Sequence, residues 1–301
     1  MGRYTVYILI QNFRSESKKL VFEKFSVTKI DQDNRVKLKE IFSHVPVYIN
    51  QHLIERQYDK LPQLPNDIID ISGLGRIPYD SEDLMLLLRL FKTGDIVFVA
   101  QIVKSPEGDI LQQYRYPMVF SSYHSPSHYE MSEEEILQFG EFFTDAPQWP
   151  GWNADWFKIA RSYFLWGGSK EFSPRRNNER ILDYMIALEA TFVTENEFVS
   201  RRLRERAAAI LCLTGKQRPT FIKRINTFYA VRSTMSHRDS LSDKQIEFLE
   251  DNHRLFEDDI RKLLRKALQE FNDSERQEYL CNLYNDIPNE QRKGEIIRHF
   301  K

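Results

Sequence analysis

The chain has 301 residues, 41% hydrophobic and 29% charged, which is room for two separately cored domains in an ordinary globular protein. Its two cysteines, Cys212 and Cys281, exclude a disulfide framework, and its longest apolar runs, such as Ile96–Ala100, are too short to span a bilayer. The formal net charge of −1 leaves any attraction for polyanions to a local cluster.

The start of the chain lacks the basic, then apolar pattern of a signal peptide, and Val6 stands where a myristoylation pattern needs Ser or Thr. The expected location is the cytoplasm. Tyr4–Ile10 and Leu20–Ile30, rich in Val, Ile, Phe and Tyr, read as strands. Glu82–Lys92 reads as a short apolar helix stopped at Gly94. Asp95–Val103 and Ile110–Tyr116 flank the turn-forming Ser105-Pro-Glu-Gly-Asp109, which predicts a β-hairpin. Ser121–His128 reads as a surface loop, and its His124 and His128 have no further ligand at metal spacing.

From Ser132 the pattern turns helical, with Ser132 and Glu135 as a capping box. After the Pro147–Gly151 break, Trp152, Trp156, Ile159, Tyr163 and Trp166 step by 4, 3, 4 and 3, the spacing of one buried helical face, and Gly167-Gly168 is the expected stop. Three tryptophans on that face read as core rather than as base-stacking residues. Further helices are predicted over Glu179–Val193, over Glu197–Leu213 with Gly215 as terminator, and from near Pro219. The last long helix starts at Ser242, capped with Gln245, and keeps an apolar seam from Ile246 to Ala267 that includes His253. One or two short helices are expected around Pro288. The predicted organisation is an α+β domain over 1–145, a helical domain over 146–275 and a helical tail over 276–301, mainly helical overall.

Between Arg201 and Arg238 ten basic residues face one acid, Glu205. Such a run attracts phosphates by counterion release, and Arg201, Arg202, Arg204, Lys223, Arg224 and Arg238 are the candidate RNA contacts. A second reading is internal neutralisation by the stretch from Asp239 to Asp259, where eight acids outnumber Lys244 and Arg254.

Three motifs occur in order. Arg180-Ile-Leu-Asp-Tyr-Met-Ile-Ala-Leu-Glu-Ala190 is followed by Arg206-Ala-Ala-Ala-Ile-Leu211 and then by Phe228-Tyr-Ala-Val-Arg-Ser-Thr-Met-Ser-His237. Together they resemble the Apea-like branch of the HEPN superfamily over about residues 150–270. The resemblance implies a helical bundle that forms a homodimer. It also implies cleavage of RNA without a metal or cofactor, at a site where the Arg and His of two copies meet, in the setting of bacterial anti-phage defence. It carries Arg232, Ser233 and His237 over as the site residues. Where this branch often has glycine after the histidine, this chain has Arg238.

The residue types suit that chemistry. An imidazole can take the 2′-OH proton while another protonates the leaving 5′-oxygen, and an arginine can stabilise the charged phosphoryl oxygens. The products would be a 2′,3′-cyclic phosphate and a 5′-hydroxyl. On a straight helix residues five apart point about 140° away from each other, so the helix must end before His237 or a second copy must complete the site. Glu189, among Met185, Ile186, Phe192 and Val193, needs a partner if buried, and Arg206 or Arg232 can supply it. It is then either an orienter of the catalytic arginine or a structural ion pair. The alternative to an enzyme is a non-catalytic dimerising module that binds RNA or a protein, with the N-terminal domain taking a regulatory ligand or protein.

Overall fold

The computed structural model describes residues 3–15, 17–22, 25–43, 51–59, 79–115, 129–170, 179–211, 213–237 and 240–285. The loop expected over Ser121–His128, with its two histidines, and the helix expected around Pro288 lie outside them, as do Cys212 and Arg238. The chain is mainly helical. It divides into two compact units, Met1–Phe143 and Thr144–Lys301.

The first unit is built on a six-stranded antiparallel sheet. Its strands are β1 (Tyr4–Gln11), β3 (Lys19–Phe22), β4 (Phe25–Lys29), β5 (His52–Tyr58), β6 (Val97–Lys104) and β7 (Ile110–Arg115), in the order β3-β4-β5-β1-β6-β7. The register sets Leu9 opposite Leu53 and Ala100, and Ile8 opposite Ile54 and Gln101. Helix α1 (Gln32–Ile41) is started by a reciprocal cap between Asp31 and Asn34. It buries Leu38, Ile41 and neighbouring Phe42 with Leu9, Leu53, Val99 and Ile102 of the sheet. Short strands β2 (Phe13–Ser15) and β8 (Tyr129–Met131) pair in parallel beside the sheet.

Helix α2 (Tyr79–Phe91) is buried from Leu84 to Leu90, a stretch apolar on every side except at Arg89, whose Nη2 donates to Ile96 O at 2.9 Å. Gly94 follows it with φ +155°, and a β-carbon there would lie 2.9 Å from the Tyr129 α-carbon. Helix α3 (Glu133–Asp145) carries the expected box, Ser132 N–H to Glu135 Oε2 at 3.0 Å and Glu135 N–H to Ser132 Oγ at 3.3 Å. One expectation fails: Leu20–Ile30 is not one strand but the hairpin β3–β4, with Phe22 opposite Phe25. The polar pair Glu23-Lys24 interrupts its apolar run.

Every described element of the second unit is helical: α4 (Asp155–Ser169), α5 (Glu179–Phe192), α6 (Val199–Ile210), α7 (Gln217–Ser236), α8 (Asp243–Glu270) and α9 (Arg276–Asn285), after a short 3₁₀ turn at Ala146–Gln148. Phe228 of α7 stacks on Phe256 of α8 with ring centroids 3.8 Å apart, and Phe192 of α5 and Trp156 of α4 both meet Phe271. Ser242 caps α8 with Gln245 as the sequence indicates.

Two readings of α4 are corrected. Its buried face is Trp156, Phe157, Ala160, Phe164, Leu165, Gly167 and Gly168, while Ile159 is 55% exposed and Tyr163 and Trp166 are half-buried. Gly167 and Gly168 do not stop the helix but lie in its last turn. A β-carbon on Gly167 would sit 2.7 Å from the Tyr184 ring, so glycine here lets α5 approach closely.

Candidate functional site around Arg232

Helix α7 buries Phe221, Ile225, Phe228 and Val231, a stripe stepping by 4, 3 and 3 that docks one side of the helix into the core. Tyr229 and Arg232 flank this stripe and are half-buried. The Arg232 Nη2 donates to Glu189 Oε2 at 2.9 Å, and its guanidinium lies 5.4 Å from the centre of the Tyr229 ring. Glu189 comes from the last turn of α5, next to the buried Leu188. Burial pushes the Glu189 carboxyl above the usual carboxylate range, and the Arg232 charge opposes that rise. Burial and the Glu189 charge also raise the Tyr229 phenol, against Arg232.

This pair is joined by one hydrogen bond, not two. Glu189 Oε1 and Arg232 Nε are buried and without a partner. The guanidinium therefore keeps hydrogen-bonding capacity, and its side chain is 26% exposed. Arg204 and Arg224 also leave an Nε unpaired, so the spare donor alone does not single out Arg232. Its neighbours do: a half-buried carboxylate, a phenol and, one turn on, the end of the helix.

That end is at Ser236, and His237 is the capping residue, with φ −88° and ψ 3° and its N–H directed to Ser233 O at 3.2 Å. Its imidazole is exposed, and Ser233 is half-buried. Ser236 Oγ donates to Arg232 O at 2.9 Å, and Gln245 of α8 donates to Thr234 Oγ1 at 3.2 Å, which fixes this end of α7. Among the described residues, no hydrogen bond or ion pair joins Arg232 to His237. The helix ends at Ser236 with His237 directly after it, and helical spacing carried to that residue turns its side chain about 140° from that of Arg232.

Arg206 does not meet Glu189, and this corrects one of its two expected pairings. It is 0% exposed and ties three segments together. Its Nε donates to Leu280 O at 2.9 Å, Nη1 to Phe192 O at 2.8 Å, and Nη1 and Nη2 to the two Glu195 oxygens at 2.9 and 2.7 Å. The Arg206 hydrogen bond holds the Glu195 carboxyl down at about 2. Nothing in the sequence signalled Glu195, which lies in the irregular link between α5 and α6.

The basic run is widely engaged inside the protein. Arg202 also pairs with Glu195, Arg224 pairs with Asp259, Arg218 with Glu205 at 2.9 Å, and Arg204 bonds Asn226 at 2.6 Å. Asp259 belongs to the acidic stretch expected to neutralise this run, whereas Glu189, Glu195 and Glu205 do not. Arg201 and Lys223 are exposed. Among the described residues, no three His, Cys, Asp or Glu side chains cluster as metal ligands would. Among the same residues, no helix is long and apolar enough to cross a membrane. Comparison with protein-family models, curated proteins and solved structures yields no match.

Proposed function

We propose that the chain is a HEPN-type, metal-independent endoribonuclease whose site is completed by a second copy, in a role such as anti-phage defence. The observation that supports it most is the single-bonded Arg232–Glu189 pair at the α7 end capped by the exposed His237. Glu189 holds Nη2 of a guanidinium whose side chain stays 26% exposed, so Nη1 remains to donate to a phosphoryl oxygen. The exposed imidazole of one copy takes the 2′-OH proton, and that of the other protonates the departing 5′-oxygen. Because Arg232 and His237 diverge on their own helix, a phosphodiester touched by both kinds of group draws them from two copies.

The test is cleavage of single-stranded RNA by wild type, His237→Ala and Arg232→Ala, each checked for folding by circular dichroism. The expected result is cleavage by wild type and a loss of at least about 100-fold in either variant. Cleavage unchanged in folded His237→Ala overturns the proposal.

The ion pairs of Arg202, Arg218 and Arg224 favour a second reading, a helical module that dimerises and holds RNA or a protein without cutting. Its signature is salt-sensitive RNA binding by a wild type that yields no fragments.

A further inference from the structure

Helix α5 ends without a glycine: Phe192 is followed by Val193-Thr-Glu-Asn196. The last carbonyls of a helix have no partner within it, so other groups must meet them. Glu189 O is met by Val193 N–H at 3.0 Å. The carbonyls after it are met by two arginines from later in the chain. Arg276 donates from Nε to Thr191 O at 3.1 Å, and from Nη2 to Ala190 O at 2.5 Å and Val193 O at 3.4 Å. Arg206 Nη1 meets Phe192 O at 2.8 Å. Both cations also suit the negative end of the helix dipole.

Local sequence and packing place Arg276 for this task. Asn272 Oδ1 accepts from Glu275 N–H at 2.8 Å and Asn272 O from Arg276 N–H at 3.1 Å, which starts α9. The Arg276 guanidinium lies 5.6 Å from the centre of the Trp156 ring of α4. Tyr279, one turn on, packs against Phe271, and Leu280 and Leu283 are buried, so α9 is anchored behind its first residue. The turn of α5 that Arg276 reaches is the one that carries Glu189, and Glu189 holds Arg232 at 2.9 Å. A helix end whose carbonyls lose their partners frays, and side chains on it lose their fixed direction. The contacts from Arg276 through this turn and Glu189 to Arg232 are continuous.

We infer that Arg276 is a positioning residue for the reaction proposed at Arg232: it holds the last turn of α5 closed, so that Glu189 presents the guanidinium in one direction. This rests on the ribonuclease reading and extends its machinery to the first turn of α9. Arg206 closes the same turn but also holds Glu195 and Leu280, so Arg276 is the residue whose removal reports on the turn.

The test has two arms. The first is an NMR titration of the Glu189 side-chain carboxyl carbon in wild type, Arg276→Ala and Arg276→Lys. Burial holds the wild-type midpoint above the ordinary 4.5, and alanine is expected to return it there as water reaches the opened turn. Lysine keeps the charge but not the planar fork and is expected to move the midpoint partway; should alanine unfold the protein, lysine carries the measurement. A midpoint that neither variant moves overturns the inference, whatever the cleavage result. The second arm is single-turnover cleavage of single-stranded RNA by the Arg276 variant, Glu189→Gln and the two combined. Each single change is expected to slow cleavage by about 10- to 100-fold at saturating protein. The combination is expected to be no slower than Glu189→Gln alone, because one residue acts through the other. Losses that multiply, as a separate structural role gives, overturn the inference and leave the ribonuclease reading standing. A wild type that yields no fragments overturns the ribonuclease reading, and the titration still decides whether Arg276 positions Glu189.

Discussion

Arg206 spends all three guanidinium nitrogens inside the second unit, whereas Arg232 spends one. The first is a staple, and removing it would leave Glu195 without its main partner and break its bonds to two carbonyls, a loss of about 3–5 kcal/mol. The same pairing sets a pH dependence. Glu195 falls from an ordinary 4.5 to about 2 in the folded protein, so the unfolded chain binds the proton more tightly. The stabilisation is complete above about pH 4.5 and lost as pH falls toward 2. An NMR titration of the Glu195 side-chain carboxyl carbon is expected to show its midpoint near 2; a midpoint near 4.5 would mean that the Arg206 contact does not persist in solution. Glu189 shows the opposite trend, because burial outweighs its single-bonded Arg232. Its partner could be narrowed from sequence to two arginines, since both share its apolar surroundings, but choosing between them needed the three-dimensional arrangement of α5, α6 and α7.

Helix α4 shows where sequence periodicity misleads. Its aromatic residues suggested a seam through Ile159 and Tyr163, yet the buried seam runs through Ala160, Phe164 and Gly167, one residue further along. Large apolar residues dominate a periodic pattern, but where two helices come closest the smallest side chains lie between them. Gly167 and Gly140 then make opposing tests. Alanine at Gly167 meets the Tyr184 ring at 2.7 Å, and an overpacking cost of about 1–3 kcal/mol exceeds the gain in helix propensity. Alanine at Gly140, in α3, meets nothing within 4 Å and is expected to stabilise by up to about 1 kcal/mol. Urea denaturation of both variants checks this, and equal shifts of the same sign would contradict the close α4–α5 contact. Capping signals were more legible. Ser132–Glu135 and Ser242–Gln245 form their boxes because such bonds are local and need no tertiary information. Helix α6 starts later than its pattern suggests, because Phe198 adopts a left-handed conformation that no periodicity reports.

Across the whole molecule, a near-neutral net charge conceals paired opposites: many arginines between residues 201 and 238 are held by carboxylates scattered from Glu189 to Asp259. The cluster was legible as composition, but its partners were not, because ion pairs between helices follow packing rather than sequence distance. What remains exposed at the α7 end, the His237 imidazole with part of Arg232, is half of a two-copy site in the proposed reading. The direct measurement is end-group analysis of RNA incubated with wild-type protein in excess chelator. The expected products carry a 2′,3′-cyclic phosphate on the upstream fragment and a 5′-hydroxyl on the downstream one, as attack by the ribose 2′-OH requires. Fragments ending in 3′-hydroxyl and 5′-phosphate, or no fragments at all, would contradict it.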